Sequence, residues 1–231
     1  LLLEPLRALG LLGLRLGQLG GTGTGLGLGR FLRLLGQNGL LDAMKSGGVI
    51  AVCSTVAPDT VKALDEKARA KGCDILDAPI CRGRWFADEG KLLALFGGRP
   101  EIIERGRRVY STFCSDIAPL GDVGHGQVGK AMNNLMLWIT SIGLIEAGRI
   151  AESTGIDLVK LRDALMISSG KSQALEDWDQ TSFTWALKDM QIVMKMADKA
   201  NLSLPISGAV KELVKEARQI KAKNAPKWTG Q

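Results

Sequence analysis

The fold class this 231-residue sequence predicts is an α/β region with a mainly parallel sheet, followed by an all-α region. Three observations predict it. Short apolar or β-branched runs alternate with helical patterns from Val49 to Leu120. Gly or Pro marks nearly every junction between them. After Gly121 the strand signals stop and helical patterns alone remain. The expected division is an aberrant start over 1–30, a sheet domain over 31–122 and a helical domain over 123–231.

Residues 1–30 stand apart from the rest. They hold 12 Leu and 9 Gly, Glu4 is their one acid, and the chain begins with Leu. GGTGTGLGLGRF, from Gly20, invites comparison with a phosphate loop but lacks Gly-x-Gly-x-x-Gly. Gly21 and Gly23 need a third glycine where Leu26 stands, and Gly25 and Gly27 need one where Arg30 stands. Leu/Gly repetition without a period is low complexity. An aberrant start, a divergent glycine loop and a targeting peptide are the open readings.

The ordinary chain follows. Residues 40–46 (LLDAMKS) are helix-like and stop at Gly47-Gly48. Val49 to Cys53 is a β-branched run, the mark of a buried parallel strand. Ser54-Thr55 end it, and Pro58 opens a helix where its missing N–H costs nothing; Gly72 closes that helix. Cys73 to Asp77 is the next strand, broken by Pro79. Lys91 to Phe96 is another, Pro100 starts a helix to about Thr112, and a short strand lies near Asp116–Leu120. A long helix can run from Gln127 to Ser153. Its LMLWITSIGLIEAG stretch is apolar on several sides, so it should lie in a helical core or a subunit interface, which favours a homo-oligomer. Helices at about 157–168, 183–200 and 206–222 complete the pattern.

Composition excludes several classes. Hydrophobic residues are 45% and charged residues 23%, the mix of a globular protein. The net charge of +6 is spread out, without the basic tract and interleaved aromatics of a nucleic-acid binder. No apolar run reaches membrane-spanning length. Cys53, Cys73, Cys81 and Cys114 form no CxxC pair and His125 is the single histidine, so no metal site is expected. Reduced thiols in a cytoplasmic protein are the expectation.

Three segments can carry chemistry. Ser54-Thr55-Val56-Ala57-Pro58 is a polar turn after a buried strand, and ligands of open α/β sheets sit at strand carboxyl ends; equally, Ser54 and Thr55 can simply cap the next helix. Asp77-Ala78-Pro79-Ile80-Cys81-Arg82-Gly83 follows a strand too, and its backbone N–H groups with Arg82 and Arg84 can meet an anion; a surface loop is the plain alternative. Gly124-His125-Gly126-Gln127-Val128-Gly129-Lys130 leads into the long helix with Lys130 in its first turn. A cation there gains nothing from the helix dipole, which suits a lysine that gives up and takes back a proton. Asn134, four residues on, shares its face. A solvated lysine is the alternative.

The succession STVAP, LDAPICRG, EGKLLALFGG, GHGQVGKAMNN and WALKDM, from about Leu34 to Gly208, resembles the β-hydroxyacid dehydrogenase family (3-hydroxyisobutyrate and 6-phosphogluconate dehydrogenase type) in order and spacing. LLGQNGLLDAMKSGG resembles the segment that precedes the family's STxxP turn. The resemblance implies a Rossmann-type domain followed by a helical domain, NAD or NADP as cofactor, and hydride transfer to or from a small 3-hydroxy acid. It implies Lys130 as acid/base, Asn134 as the amide that orients substrate, and Ser54 and Thr55 against the cofactor. Cys81, Arg82 and Gly83 would bind the substrate carboxylate. Lys188 would approach the cofactor, with Asp189 as its companion.

Two departures stand out. The substrate loop reads Cys-Arg-Gly where the family has Ser-Gly-Gly, and Arg82 and Arg84 point to a more acidic substrate. The segment where the family's first strand and glycine fingerprint stand is Leu/Gly-rich here, so the Rossmann-type sheet is expected to be truncated. An imine reductase on the same scaffold is disfavoured by Lys130, because those enzymes usually lack that lysine. A defective fragment or a non-redox assembly module is the remaining alternative.

Overall fold

The computed structural model of the chain describes residues 39–223 and 225–230. The Leu/Gly-rich start, with every reading of it, lies outside the described residues. The chain divides into two compact units, the first ending at Lys130 and the second beginning at Ala131.

In the first unit, α1 (Leu40–Ala43) precedes β1 (Val49–Val52), α2 (Pro58–Arg69), β2 (Asp74–Asp77), β3 (Ile80–Cys81), α3 (Gly83–Asp88), β4 (Leu92–Gly97), α4 (Pro100–Tyr110) and β5 (Cys114–Gly121). The punctuation acts as the sequence predicts. Pro58 and Pro100 are the first residues of α2 and α4, and Lys67, Arg69, Arg107 and Arg108 favour the negative ends of their dipoles. Adjacent strand residues point to opposite faces. Ile75 packs with Val61, Leu64 and Ala68 of α2, whereas Leu76 packs with Ile102, Val109 and Tyr110 of α4. The two helices therefore cover opposite faces of the sheet.

The sheet is mixed where the sequence predicts a mainly parallel one. β1 pairs with β2 and β4 pairs with β5 in parallel. β4 runs antiparallel to both β2 and β3, with Asp77 opposite Gly97 and Cys81 opposite Leu93. The cause is the length of the connection. A parallel return needs a crossover of roughly a dozen residues or more, and only the six-residue α3 with its turns joins β3 to β4. The strand that ends at Asp77 is broken at Ala78-Pro79, as the sequence predicts, and β3 resumes at Ile80; across the break the Pro79 carbonyl accepts the Leu95 N–H at 3.0 Å.

The long helix α5 (His125–Ser153) begins in the first unit and continues into the second. The second unit is otherwise α6 (Leu158–Met166), α7 (Gln173–Glu176), a 3-10 turn (Trp178–Gln180), α8 (Ala186–Lys199) and α9 (Pro205–Ala222). Asp157 caps α6 by accepting the Val159 N–H at 2.9 Å, and Ser172 caps α7. Trp138, Ile142, Leu175, Trp178, Met190, Val214 and Trp228 share one core. The two fully buried indoles are satisfied: Trp178 Nε1 donates to the Pro226 carbonyl at 2.9 Å and Trp228 Nε1 to that of Leu144 at 3.1 Å. On α5, Met136 and Ile150 remain 63% and 68% exposed, an apolar stripe outside that core. No helix among the described residues is long and apolar enough to cross a membrane.

Candidate active site

Asp77 organises the first unit's site. It ends β2, is fully buried, and has no cationic partner among its hydrogen bonds. Its Oδ2 accepts the backbone N–H of Gly124 at 3.0 Å and of Gln127 at 2.9 Å, so it sits on the N-terminus of α5. Burial pushes its carboxyl above the usual range, and the hydrogen bonds from Gln127, Gly124 and Gly126 oppose that. Glycine is required beside it. A Cβ at Gly126 would lie 2.6 Å from the Leu95 carbonyl oxygen and 2.9 Å from Asp77 Oδ2. Gly124 turns with φ +100°, in the region that favours glycine. His125, the single histidine, accepts the Asp122 N–H at Nδ1 (3.1 Å) and thereby helps to start the helix.

Gln127 joins this group to the turn after β1. Its Nε2 donates to Asp77 Oδ1 at 2.9 Å and to the Ser54 carbonyl at 3.0 Å; its Oε1 accepts the Val56 N–H at 2.9 Å. Ser54 is exposed and Thr55 half-buried at the carboxyl end of a strand parallel to β2. The turn's inward backbone groups are held by Gln127, and the turn follows a strand's carboxyl end, where open α/β sheets bind their ligands. That donor and acceptor chemistry fits the nicotinamide end of NAD or NADP. The segment where a pyrophosphate loop would stand falls outside the described residues.

The structure brings Lys130 and Cys81 together: Lys130 Nζ lies 3.7 Å from Cys81 Sγ. Because α5 starts at His125 and not near Gln127, Lys130 stands in its second turn, not its first. Burial raises the Cys81 thiol, and the charge and hydrogen bond of Lys130 partly offset this. Of the residues expected as a loop over 77–83, Asp77 ends β2, Ala78-Pro79 are irregular, Ile80–Cys81 form β3, and the chain turns at Arg82 (φ +84°) and Gly83 (φ +74°). Arg82 does not hold Nη1 free for an anion: it donates to the Lys91 carbonyl (3.0 Å), Ser115 Oγ (2.9 Å) and Asp116 Oδ2 (2.6 Å). Arg84 is almost wholly exposed, 3.8 Å from Asp88.

In the second unit Asn134 is buried and its amide is fixed. Nδ2 donates to Asp189 Oδ2 at 2.8 Å, and Oδ1 accepts from Asn133 Nδ2 at 3.0 Å. Trp138 Nε1 also donates to Asp189 Oδ2, at 3.2 Å. Lys188 Nζ lies 3.0 Å from Asp189 Oδ1. This is a charge contact and not an aligned hydrogen bond, since that buried oxygen receives no donor. Sequence reasoning missed Gln127 and Asp77 as parts of the site. The signal available was an amide inside a glycine-rich helix start and an acid ending a buried strand.

Two family models match the chain. Residues 32–134 match the family model for the NAD binding domain of 6-phosphogluconate dehydrogenase. Residues 124–226 match that for NAD-binding of NADP-dependent 3-hydroxyisobutyrate dehydrogenase. Together the two models span residues 32–226, and over them the chain matches the β-hydroxyacid dehydrogenase family. A 3-hydroxyisobutyrate dehydrogenase of Pseudomonas aeruginosa is 38% identical over 61% of this chain and 47% of its own length. A 2-hydroxy-3-oxopropionate reductase of Escherichia coli is 30% identical over 78% of this chain and 65% of its own. The chain thus spans about half to two thirds of the length of these β-hydroxyacid dehydrogenases. Among solved structures, one described as a complex with NADP+ is 27% identical with a TM-score of 0.71, covering 78% of this chain and 67% of that one. The 3-hydroxyisobutyrate dehydrogenase of Salmonella typhimurium shares the fold, with a TM-score of 0.73 at 22% identity over 85% of this chain and 71% of its own.

Proposed function

We propose that the chain is an NAD(P)-dependent oxidoreductase that acts on a small 3-hydroxy acid, with Lys130 as the proton-transferring group. The observation that supports it best is Lys130 beside Cys81 at a strand end, one helical turn before Asn134, whose amide is already oriented. Bound nicotinamide supplies the hydride acceptor or donor. Lys130 takes the hydroxyl proton in oxidation and returns it in reduction. Asn134 Nδ2 has two hydrogens and Asp189 engages one, which leaves the second for the substrate oxygen. Cys81, Arg82 and Gly83 meet the carboxylate through the turn, and Ser54, Thr55 and Lys188 hold the cofactor. In this reading residues 31–122 are the partial Rossmann-type domain and 123–231 the helical one. The protein is cytoplasmic, binds no nucleic acid, and is a homo-oligomer through the stripe of Met136 and Ile150.

The test begins with NADH and NADPH fluorescence titration of the purified chain. Oxidation of 3-hydroxyisobutyrate and reduction of 2-hydroxy-3-oxopropionate follow, for wild type and Lys130→Met. The expected outcome is a loss in kcat of about a hundredfold or more in the variant with nicotinamide affinity retained. Equal turnover in the two proteins sinks the role of Lys130, and no binding of either nucleotide by wild type leaves the non-redox alternative standing.

A further inference from the structure

We infer that Gln127 is a positioning residue that ties the turn after β1 to the start of the helix carrying Lys130, and so presets the cofactor side of the site. The inference rests on the reading of that turn as a nicotinamide contact. Gln127 is fully buried. Burying a primary amide is unfavourable unless its polar atoms are matched. Here they are: Nε2 donates to Ser54 and Asp77, and Oε1 accepts from Val56. Its own backbone N–H also donates to Asp77 Oδ2.

One side chain therefore bonds to two chain segments, the nearer of them 50 residues away in sequence. Its bonds to Ser54 and Val56 flank Thr55, so they hold the backbone of the two residues assigned to the cofactor. Asp77 fixes the amide's orientation, because Oδ1 needs a donor and thus selects Nε2 on that side. Lys130 is three residues on, in the next turn of the same helix. A movement of the turn relative to Lys130 must break at least one of these bonds. An apolar residue of equal volume would fill the space equally well and would leave the turn unheld.

Two variants of the full chain test this. Gln127→Met fills the space without an amide. Gln127→Glu keeps an acceptor for Val56 but sets oxygen against Ser54 O and Asp77 Oδ1. Hydrogen exchange by mass spectrometry reads the Val56 amide, and NADH and NADPH titration read affinity. In both variants Val56 should exchange about tenfold faster or more, while amides of β4 keep their protection. The dissociation constant of whichever nucleotide binds should rise about tenfold, the factor that two hydrogen bonds of modest net worth make together. Unchanged Val56 exchange in both variants overturns the inference. So does equal loss of protection across the whole first unit, which would make Gln127 a general stability residue, and so does faster exchange with unaltered affinity. If wild type binds neither nucleotide, the functional reading fails by that result alone, and the cofactor role of Gln127 falls with it. The exchange arm still decides whether Gln127 holds the turn.

Discussion

Asp77→Asn exchanges one oxygen for an NH2 group and has nowhere to put it. Oδ2 accepts two backbone donors, Gly124 and Gln127, at 3.0 and 2.9 Å, and neither can turn away. The new NH2 must therefore take the place of Oδ1, where it faces Gln127 Nε2, a donor now at 2.9 Å. Turning the Gln127 amide relieves that clash but sets Oε1 against the Ser54 carbonyl and Nε2 against the Val56 N–H. In either arrangement a charge-assisted bond is lost and a buried donor is stranded. The release of a buried negative charge offsets part of this, so the net cost should be about 2–4 kcal/mol. The sign of the pH dependence follows from burial. The folded pKa of Asp77 lies above its unfolded value, so stability from this group is fully present below the unfolded value and is lost as pH rises through the folded one. The variant should thus lose most at acidic pH and less at neutral pH. Urea unfolding at the two pH values checks this, read by hydrogen exchange so that each unit is followed separately. A loss below about 0.5 kcal/mol at both pH values, under the usual worth of one hydrogen bond, refutes the network. A loss that grows with pH refutes the burial argument.

Two further outcomes are expected. Arg82→Gly removes a non-glycine residue from φ +84°, a relief of roughly 1 kcal/mol, against the loss of an exposed pair with Asp116. Thermal stability should change little, while the Asp116 carboxyl, held low by Arg82, returns upward toward the usual range by NMR titration; a large destabilisation would contradict this. Burial raises the thiols of Cys53 and Cys81 and pushes Cys114 up to about 11. All three should alkylate at pH 8 more slowly than a free cysteine. Cys53 is the discriminating case, because the residue is exposed while its sulfur turns inward to Tyr110 Oη at 2.8 Å. Fast labelling there, mapped by mass spectrometry, would show that exposure outweighs the hydrogen bond.

What was legible in the sequence was punctuation and period. Pro58 and Pro100 set helix starts, β-branched Val49 to Val52 set a strand, and the helical half announced itself by the lack of strand signals. Strand direction was not legible, because local pattern is the same for either sense and only the shortness of α3 forces β4 to run back. α3 itself was hidden, since GRWFAD buries none of its residues and so carries no apolar face to read. Lys130, Asn134 and Lys188 stood out by motif. Gln127 and Asp77 did not, because their bond spans 50 residues and neither type is diagnostic alone. Arg82 looked like a free cation because its partners lie on β5 and before β4, distant in sequence.

Asp77 also alters the electrostatic argument made for Lys130. A bare helix N-terminus carries roughly half a positive charge, and that field works against a lysine in the first turn. The terminus of α5 is not bare: a buried carboxylate accepts the N–H groups of Gly124 and Gln127 and meets the dipole where it emerges. Lys130 also lies two residues deeper in the helix than the sequence placed it, in the second turn, and the dipole's effect falls off within the first. The thiol of Cys81 lies 3.7 Å from Lys130 Nζ. The resemblance sets a serine where Cys81 stands, so under the proposed function the exchange bears on Lys130 itself as well as on the proposed carboxylate loop.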